Sequence, residues 1–151
     1  MKVSESFVVP ETRDVVWQVV GDVERVAKCL PGVEQVTMLD AENSTVRITQ
    51  SLGPMTVTFD AKLKVTERDD GRLISFAATG RSIRGAVGNV RVTNSVRLED
   101  EGDDATRVLL EADVAMGGML GAVGGKVIAR QAGQAAKEFA AALERELQAH
   151  G

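Results

Sequence analysis

The chain has 151 residues, of which 44% are hydrophobic and 26% are charged, and this composition is typical of a globular domain large enough to enclose a core. A net charge of −4 and an aromatic content of 3% disfavour a nucleic-acid surface, because such surfaces rely on clustered Lys, Arg and aromatic side chains. The single His and the single Cys exclude a Ser-His-Asp triad, a His-ligated metal site and an internal disulfide, and we expect no cofactor.

The first part of the chain predicts a strand followed by two short helices. The strand covers residues 3–9 and stops at a proline. Thr12 is the expected N-cap of the first helix and Asp22 that of the second, because Thr and Asp side chains accept hydrogen bonds from the first free backbone N–H groups. The second helix ends at the Pro-Gly pair of residues 31–32.

From residue 33 onward the hydrophobic period changes to two, which predicts strands. The clearest strand covers residues 55–66, where apolar residues alternate with Thr, Asp and Lys. Shorter alternating segments predict further strands at residues 36–38, 46–50, 74–80, 90–98 and 108–116.

The stretch that begins at Met116 starts glycine-rich and then contains no turn signal, which predicts one amphipathic helix of ~28 residues, or ~42 Å. Its expected apolar stripe is Leu120, Val123, Val127, Gln131, Ala135, Phe139, Leu143 and Leu147. A helix this long needs a broad apolar surface beneath it. We therefore predict an α+β helix-grip fold in one domain covering residues 1–151, with the helix packed across the concave face of a curved, seven-stranded antiparallel sheet.

Two segments carry a resemblance to a known family. Residues 7–11 read FVVPE and lead to Val-Trp at residues 16–17, and residues 22–34 read DVERVAKCLPGVE, a fairly specific run. The whole chain resembles the CoxG proteins of carbon monoxide dehydrogenase systems, which belong to the helix-grip superfamily of START-like and pollen-allergen-like lipid-binding domains, also called SRPBCC.

The resemblance implies a non-catalytic protein that holds a lipophilic molecule such as a quinone and serves a molybdenum hydroxylase, in membrane attachment, maturation or electron output. The absence of a signal peptide and of an apolar run of ~18 residues predicts a cytoplasmic location, with peripheral contact at the inner face of the membrane. Many proteins of this family continue into a membrane-associating tail, whereas this sequence ends at Gly151, so the resemblance does not extend to anchoring by that route.

Two other functions stay open. One is a cyclase or dehydratase, in which a pocket carboxylate would act as acid or base. The positions of Asp60, Glu111 and Asp113 on polar strand faces disfavour that enzyme. The other is an assembly chaperone that uses the apolar interior as a protein-contact surface.

Small residues recur every four positions along the predicted helix, at Gly117, Gly121, Gly125, Ala129 and Gly133. Because each glycine costs a helix about 1 kcal/mol relative to alanine, the run indicates a requirement. One interpretation is room for a ligand or a flexible gate, and the other is close packing of the backbone.

Gln50 and Asn94 occupy strand positions that Val, Ile and Leu fill elsewhere, and a buried amide without partners costs about 1–3 kcal/mol. Our hypothesis is that one of them binds a carbonyl such as a quinone oxygen, the alternative being water or a backbone group. The expected apolar walls are Met38, Met55, Phe59, Phe76, Met116, Met119, Leu120, Val123 and Val127. Met on such a face adapts to varied guests but is also common in an ordinary core.

Three further positions have simpler expectations. Trp17 should pack the first helix against the sheet, and Cys29 should be a buried structural thiol. Arg81 and Arg84 belong to a glycine-punctuated loop, residues 81–88, which would meet a partner protein or acidic lipid headgroups at the cavity mouth. The alternative for this loop is a solvated hairpin turn.

Overall fold

The computed structural model describes residues 1–150, except that the side chain of His150, the chain's only histidine, lies outside the described part. The strands are β1 (Lys2–Val9), β2 (Val33–Met38), β3 (Asn43–Leu52), β4 (Met55–Asp69), β5 (Leu73–Arg84), β6 (Gly88–Asp100) and β7 (Thr106–Gly118). The helices are α1 (Arg13–Val20), α2 (Val23–Lys28) and α3 (Gly125–His150), and a 3₁₀ segment, Met119–Val123, joins β7 to α3.

All seven strands form one antiparallel sheet in the order β1-β7-β6-β5-β4-β3-β2, which confirms the predicted architecture. A shift in register between Val65 and Glu67 marks a bulge in β4, and bulges of this kind bend and twist a sheet. Helix α3 packs against β1, β3 and β7 and also meets α1. The sheet therefore has an inner face that is covered by α3 and an outer face of alternating polar residues.

The short helices begin where the sequence predicts. The Asp22 carboxylate accepts hydrogen bonds from the backbone N–H groups of Glu24 at 3.1 Å and Arg25 at 3.3 Å, which is the expected capping geometry of α2. Thr12 occupies the N-cap position of α1, but its side chain makes no capping hydrogen bond. None of the helices in residues 1–150 combines the length and apolar character that are needed to cross a membrane.

The start of the long helix is where the prediction was wrong. Met116 belongs to β7, and α3 begins only at Gly125. The intervening backbone turns at Gly118, with a φ of 70°, and at Gly124, with a φ of 101°. These positive angles lie outside the right-handed helical region, so the glycines end the strand and delay the helix instead of belonging to it.

The inner face of the sheet carries two separate groups of buried residues. The main core joins α1 and α2 to the C-terminal half of α3 and includes Val16, Val19, Phe139, Leu143 and Leu147. The smaller end cluster contains Leu52, Val57, Phe59 and Leu120, with Ala86, Val90, Met116 and Val127 packed around it. The candidate site lies between the main core and the end cluster.

Candidate ligand-binding site

A cavity of about 160 Å³ lies between the inner face of the sheet and the N-terminal half of α3. On the helix its lining residues are Gln131, Ala132, Ala135, Ala136 and Phe139, and on the sheet they include Phe59, Ala78, Val90, Val92, Ala112 and Met116. Along the helix axis the lining from Gln131 to Phe139 spans ~12 Å at 1.5 Å per residue. The walls are almost entirely apolar, so the cavity suits a greasy guest of small cross-section.

Alanines create this space, and the glycines that the sequence singled out do not. Ala132, Ala135 and Ala136 face Ala78 and Ala112 across the cavity, and these side chains are too short to meet. By contrast, a methyl group added at Gly125 or Gly133 would find no neighbouring atom within 4 Å, and neither glycine lines the cavity.

Two other glycines of the run, Gly117 and Gly121, precede α3 and lie against other parts of the chain. An added methyl group would lie 2.5 Å from Asn89 Oδ1 at Gly117 and 3.1 Å from the Met116 carbonyl oxygen at Gly121. Close packing therefore accounts for these two positions, and the interpretation of the glycine run as ligand room was wrong.

Asn94 is the buried polar residue of the cavity wall. It lies on β6 between Phe76 of β5 and Ala112 of β7, and it is 9% exposed. Its side-chain amide forms no hydrogen bond with any residue that the structure describes. An amide that is buried in an apolar cavity without a partner retains the capacity to donate to and accept from a guest.

Gln50, the other amide in an apolar register, is bonded within the protein. Its Nε2 donates to the Pro31 carbonyl oxygen at 2.5 Å, and its Oε1 accepts a hydrogen bond from Gln131 Nε2. Gln50 thus ties β3 to the α2–β2 connection and to α3. The alternative in which protein groups satisfy the amide holds for Gln50 and does not hold for Asn94.

Four of the predicted cavity residues lie together in its wall: Gln50, Phe59, Asn94 and Met116. The others lie elsewhere. Phe76 and Met38 belong to the main core or pack on it, Leu120 and Val127 belong to the end cluster, Val123 and Met55 are half-buried away from the cavity, and Met119 is 65% exposed.

These misplacements share a cause. The prediction continued the helical stripe back to Met116, which put Met119, Leu120 and Val123 over the sheet, whereas the 3₁₀ segment turns them toward the end of the molecule. Gln131 and Ala132 were missed as site residues. The signal for them was present, because alanines at positions 132, 135 and 136 form a stripe without bulk between Val127 and Phe139.

The ionisable groups lie away from the apolar lining. Among the lining residues the one ionisable side chain is Glu111, which is exposed on a polar strand position. Asp60 pairs with Arg47 at 2.9 Å on the outer face, and its pKa is held below the usual range by the hydrogen bond from that guanidinium. Within the described residues, no group of three or more His, Cys, Asp or Glu side chains is arranged to hold a metal ion.

Trp17 and Cys29 are both part of the packing around α1 and α2. Trp17 packs against the main core, with the Arg68 guanidinium 5.9 Å from its ring centroid. Cys29 is buried in the main core, and burial, together with the nearby Glu146 carboxylate, raises the pKa of its thiol to about 11. A thiol with so high a pKa is a poor nucleophile near neutral pH.

The two predicted loop arginines are in fact strand residues. β5 continues to Arg84, so the connection to β6 consists of residues 85–87 alone. Arg81 is exposed on the outer face opposite Asp60, and Arg84 is exposed at the end of β5. Neither of them lines the cavity.

Comparison with known proteins identifies the family. The family model of CoxG, the G-type subunit of carbon monoxide dehydrogenase, matches residues 6–148, which is nearly the whole described chain. The chain belongs to the CoxG family. Among curated proteins, none matches the chain. The CoxG match runs from β1 to the end of α3 and so includes every element that surrounds the cavity.

Solved structures share the fold of this CoxG-family chain at low sequence identity. A conserved protein from Geobacillus kaustophilus is 18% identical with a TM-score of 0.83, over 98% of this chain and 95% of that one. A START superfamily protein from Mycobacterium smegmatis is 15% identical with a TM-score of 0.71, over 99% of both chains. The Zhui aromatase/cyclase from Streptomyces sp. R1128 is 18% identical with a TM-score of 0.66, over 98% and 93%. These likenesses place the chain in the START-like fold.

Proposed function

We propose that this CoxG-family protein is a non-catalytic carrier of a lipophilic, carbonyl-bearing small molecule such as a quinone. The observation that carries the proposal is Asn94, a buried amide without a hydrogen-bond partner among the described residues, in the wall of an apolar cavity. A guest carbonyl that accepts from Asn94 Nδ2 would remove the cost of leaving that amide unpaired. An apolar ring would fill the space between the alanines.

The size of the cavity limits the guest. Apolar cavities of about 150 Å³ bind benzene, so a cavity of about 160 Å³ takes a single ring or a compact ring system in this conformation. A quinone headgroup is flat and apolar and carries carbonyl oxygens at its edge. We infer that its isoprenoid tail would have to leave the cavity, because the space holds little more than the head.

The absence of an acid or base among the apolar lining supports transport over catalysis. A cyclase or dehydratase would need a carboxylate or another proton-transferring group within reach of the bound guest. The one carboxylate of the lining, on Glu111, belongs to an exposed residue. Turnover of a polyketide-like substrate by the purified protein would favour the enzyme instead.

The family membership supports a partner of the carbon monoxide dehydrogenase type, a molybdenum hydroxylase that the carrier would serve in maturation, membrane attachment or electron transfer. We propose a cytoplasmic location with peripheral contact at the inner face of the cell membrane. An assembly chaperone that binds its client through the apolar interior would predict no affinity for small lipophilic molecules.

The distribution of charge supports the membrane contact. Exposed Ile83, Val87 and Met119 gather where β5, β6 and the 3₁₀ segment meet, and the Met119 N–H donates to the Val87 carbonyl oxygen at 3.0 Å. Arg84 and Lys126 are exposed beside them. We name these five residues the basic apolar end.

Acidic residues are absent from the sequence around the basic apolar end, since residues 81–98 and 114–137 contain no Asp or Glu. The turns at the opposite end of the sheet, residues 39–42, 69–72 and 100–105, are rich in both. Exposed apolar side chains next to cations suit an anionic bilayer. In vesicle sedimentation with anionic lipid, Val87→Asp should reduce binding severalfold, whereas Leu39→Asp, at an equally exposed site of the opposite end, should not.

Binding of a soluble quinone tests the carrier directly. With menadione as the probe, calorimetric titration should give saturable binding to the unaltered protein, and Asn94→Leu should weaken it about tenfold, as expected for loss of one buried hydrogen bond. Thr93→Leu, the neighbouring substitution on the outer face of the same strand, should leave the affinity unchanged. Equal affinity in Asn94→Leu and the unaltered protein would contradict the assigned role of the amide.

A further inference from the structure

The outer face of the sheet carries a groove of about 560 Å³, which is larger than the internal cavity. The groove floor is the backbone at Val46, Ala61 and Gly80, which are inner-face positions. The walls are nine outward polar side chains, Gln35, Thr37, Thr45, Arg47, Asp60, Lys62, Thr79, Arg81 and Asn89. We call this concavity the outer groove.

Strand register explains its shape. One wall follows the cross-strand row of Arg47, Asp60 and Arg81, and the other follows the row of Thr45, Lys62 and Thr79. The outer groove therefore runs across the strands from β2 to β6. Four strand spacings of ~4.8 Å make it ~19 Å long, which matches about six residues of extended chain at ~3.3 Å each.

The outer groove is positively charged although the chain is acidic overall. Its three cations, Arg47, Lys62 and Arg81, face one anion, Asp60, so its net charge is +2, against −4 for the whole chain. Arg47 and Asp60 neutralise each other through two hydrogen bonds of 2.9 and 3.3 Å. Within the described residues, Lys62 and Arg81 form no ion pair.

We propose that the outer groove binds an acidic, extended segment of a partner protein. Each cation is exposed, and a single exposed ion pair contributes little to affinity, so a lone carboxylate or phosphate would bind weakly. An extended segment would place several carboxylates along both cations, and its polar groups would meet the Thr hydroxyls and the Gln35 and Asn89 amides of the walls. The sheet separates the outer groove from the cavity, so this proposal does not depend on the proposed ligand.

Fluorescence anisotropy with labelled, capped hexapeptides tests the proposal. The probe alternates glutamate with threonine, and its control has glutamine in place of glutamate. We expect the acidic probe to bind and the neutral control not to bind, and we expect the affinity to fall severalfold between about 50 and about 200 mM salt. Arg81→Glu and Lys62→Glu should each weaken binding about tenfold, because each introduces repulsion within the outer groove.

The matched control is Arg97→Glu, an exposed position on the outer face of β6 that does not line the outer groove. It changes the net charge by the same amount and should alter the affinity less than twofold. Equal losses in Arg97→Glu and Arg81→Glu, or equal binding of the neutral peptide, would overturn the proposal. Inorganic tripolyphosphate binding more tightly than the acidic peptide would also overturn it, in favour of a small polyanion.

Discussion

The two halves of α3 face the same sheet and pack in opposite ways. In the C-terminal half, Phe139, Leu143 and Leu147 are 5%, 0% and 3% exposed and fill the space above the sheet. In the N-terminal half, the alanines at positions 132, 135 and 136 leave a cavity of about 160 Å³ over strands of the same sheet. Side-chain volume along one helix thus determines which part of the interior is solid and which is hollow.

The two buried amides extend this comparison. Gln50 belongs to a hydrogen-bonded bridge between the Pro31 carbonyl and Gln131, so its polar group stabilises the fold. Asn94 lies on the hollow side and has no partner among the described residues. An unpaired buried amide is a cost to stability, and such costs are characteristic of positions that a ligand completes.

The largest expected effect comes from emptying the solid half. Leu143→Ala should lower the free energy of unfolding by about 2–5 kcal/mol, because it removes a fully buried side chain from a filled core. Ala136→Gly, in the hollow half, should cost only about 1 kcal/mol through helix propensity. Urea denaturation measures both, and similar losses in the two variants would contradict the division of α3.

The two amides should differ in sign. Gln50→Leu should destabilise the protein by about 1–3 kcal/mol, because it leaves the Pro31 carbonyl and the Gln131 amide without their partner. Asn94→Leu should be neutral or stabilising in the absence of ligand, because it removes a buried amide that has no partner. Comparison of the urea midpoints tests this, and a large loss in Asn94→Leu would show that the amide has a structural role.

Filling the cavity should have a smaller effect on stability and a large one on binding. Ala135→Leu should change the free energy of unfolding by about 1 kcal/mol or less and abolish menadione binding, because the added carbons occupy empty space. Ala27→Leu, at a residue that is 1% exposed and already packed, should cost about 1–3 kcal/mol. Unchanged binding in Ala135→Leu would place the guest elsewhere.

The smallest effect on stability is confined to alkaline pH. Burial raises the pKa of the Cys29 thiol from 9.0 to about 11, so the unfolded chain loses this proton at a lower pH than the folded one. The associated stability is complete below about pH 9 and is lost as the pH rises toward about 11. Cys29→Ala should remove this part of the pH dependence, which pH-dependent urea titration detects.

Several features were predictable because they depend on neighbouring residues. The alternation at residues 55–66 predicted β4, Asp22 predicted the cap of α2, and the element order predicted the helix-grip fold, all of which the structure confirms. The start of α3 was misjudged, because the positive φ angles of Gly118 and Gly124 depend on how β7 ends against β6. A helical period by itself does not reveal such a break.

The sequence alone thus determined which segments become strands and helices and which face of each is apolar, because backbone geometry repeats every 2 or 3.6 residues. Tertiary structure decided which of two equivalent amides is satisfied, since the partners of Gln50 lie 19 and 81 residues away. It also decided where the interior stays hollow, because a cavity arises from short side chains that face each other across distant parts of the chain. The alanines at positions 78, 112 and 136 show this, since they form one wall only after folding.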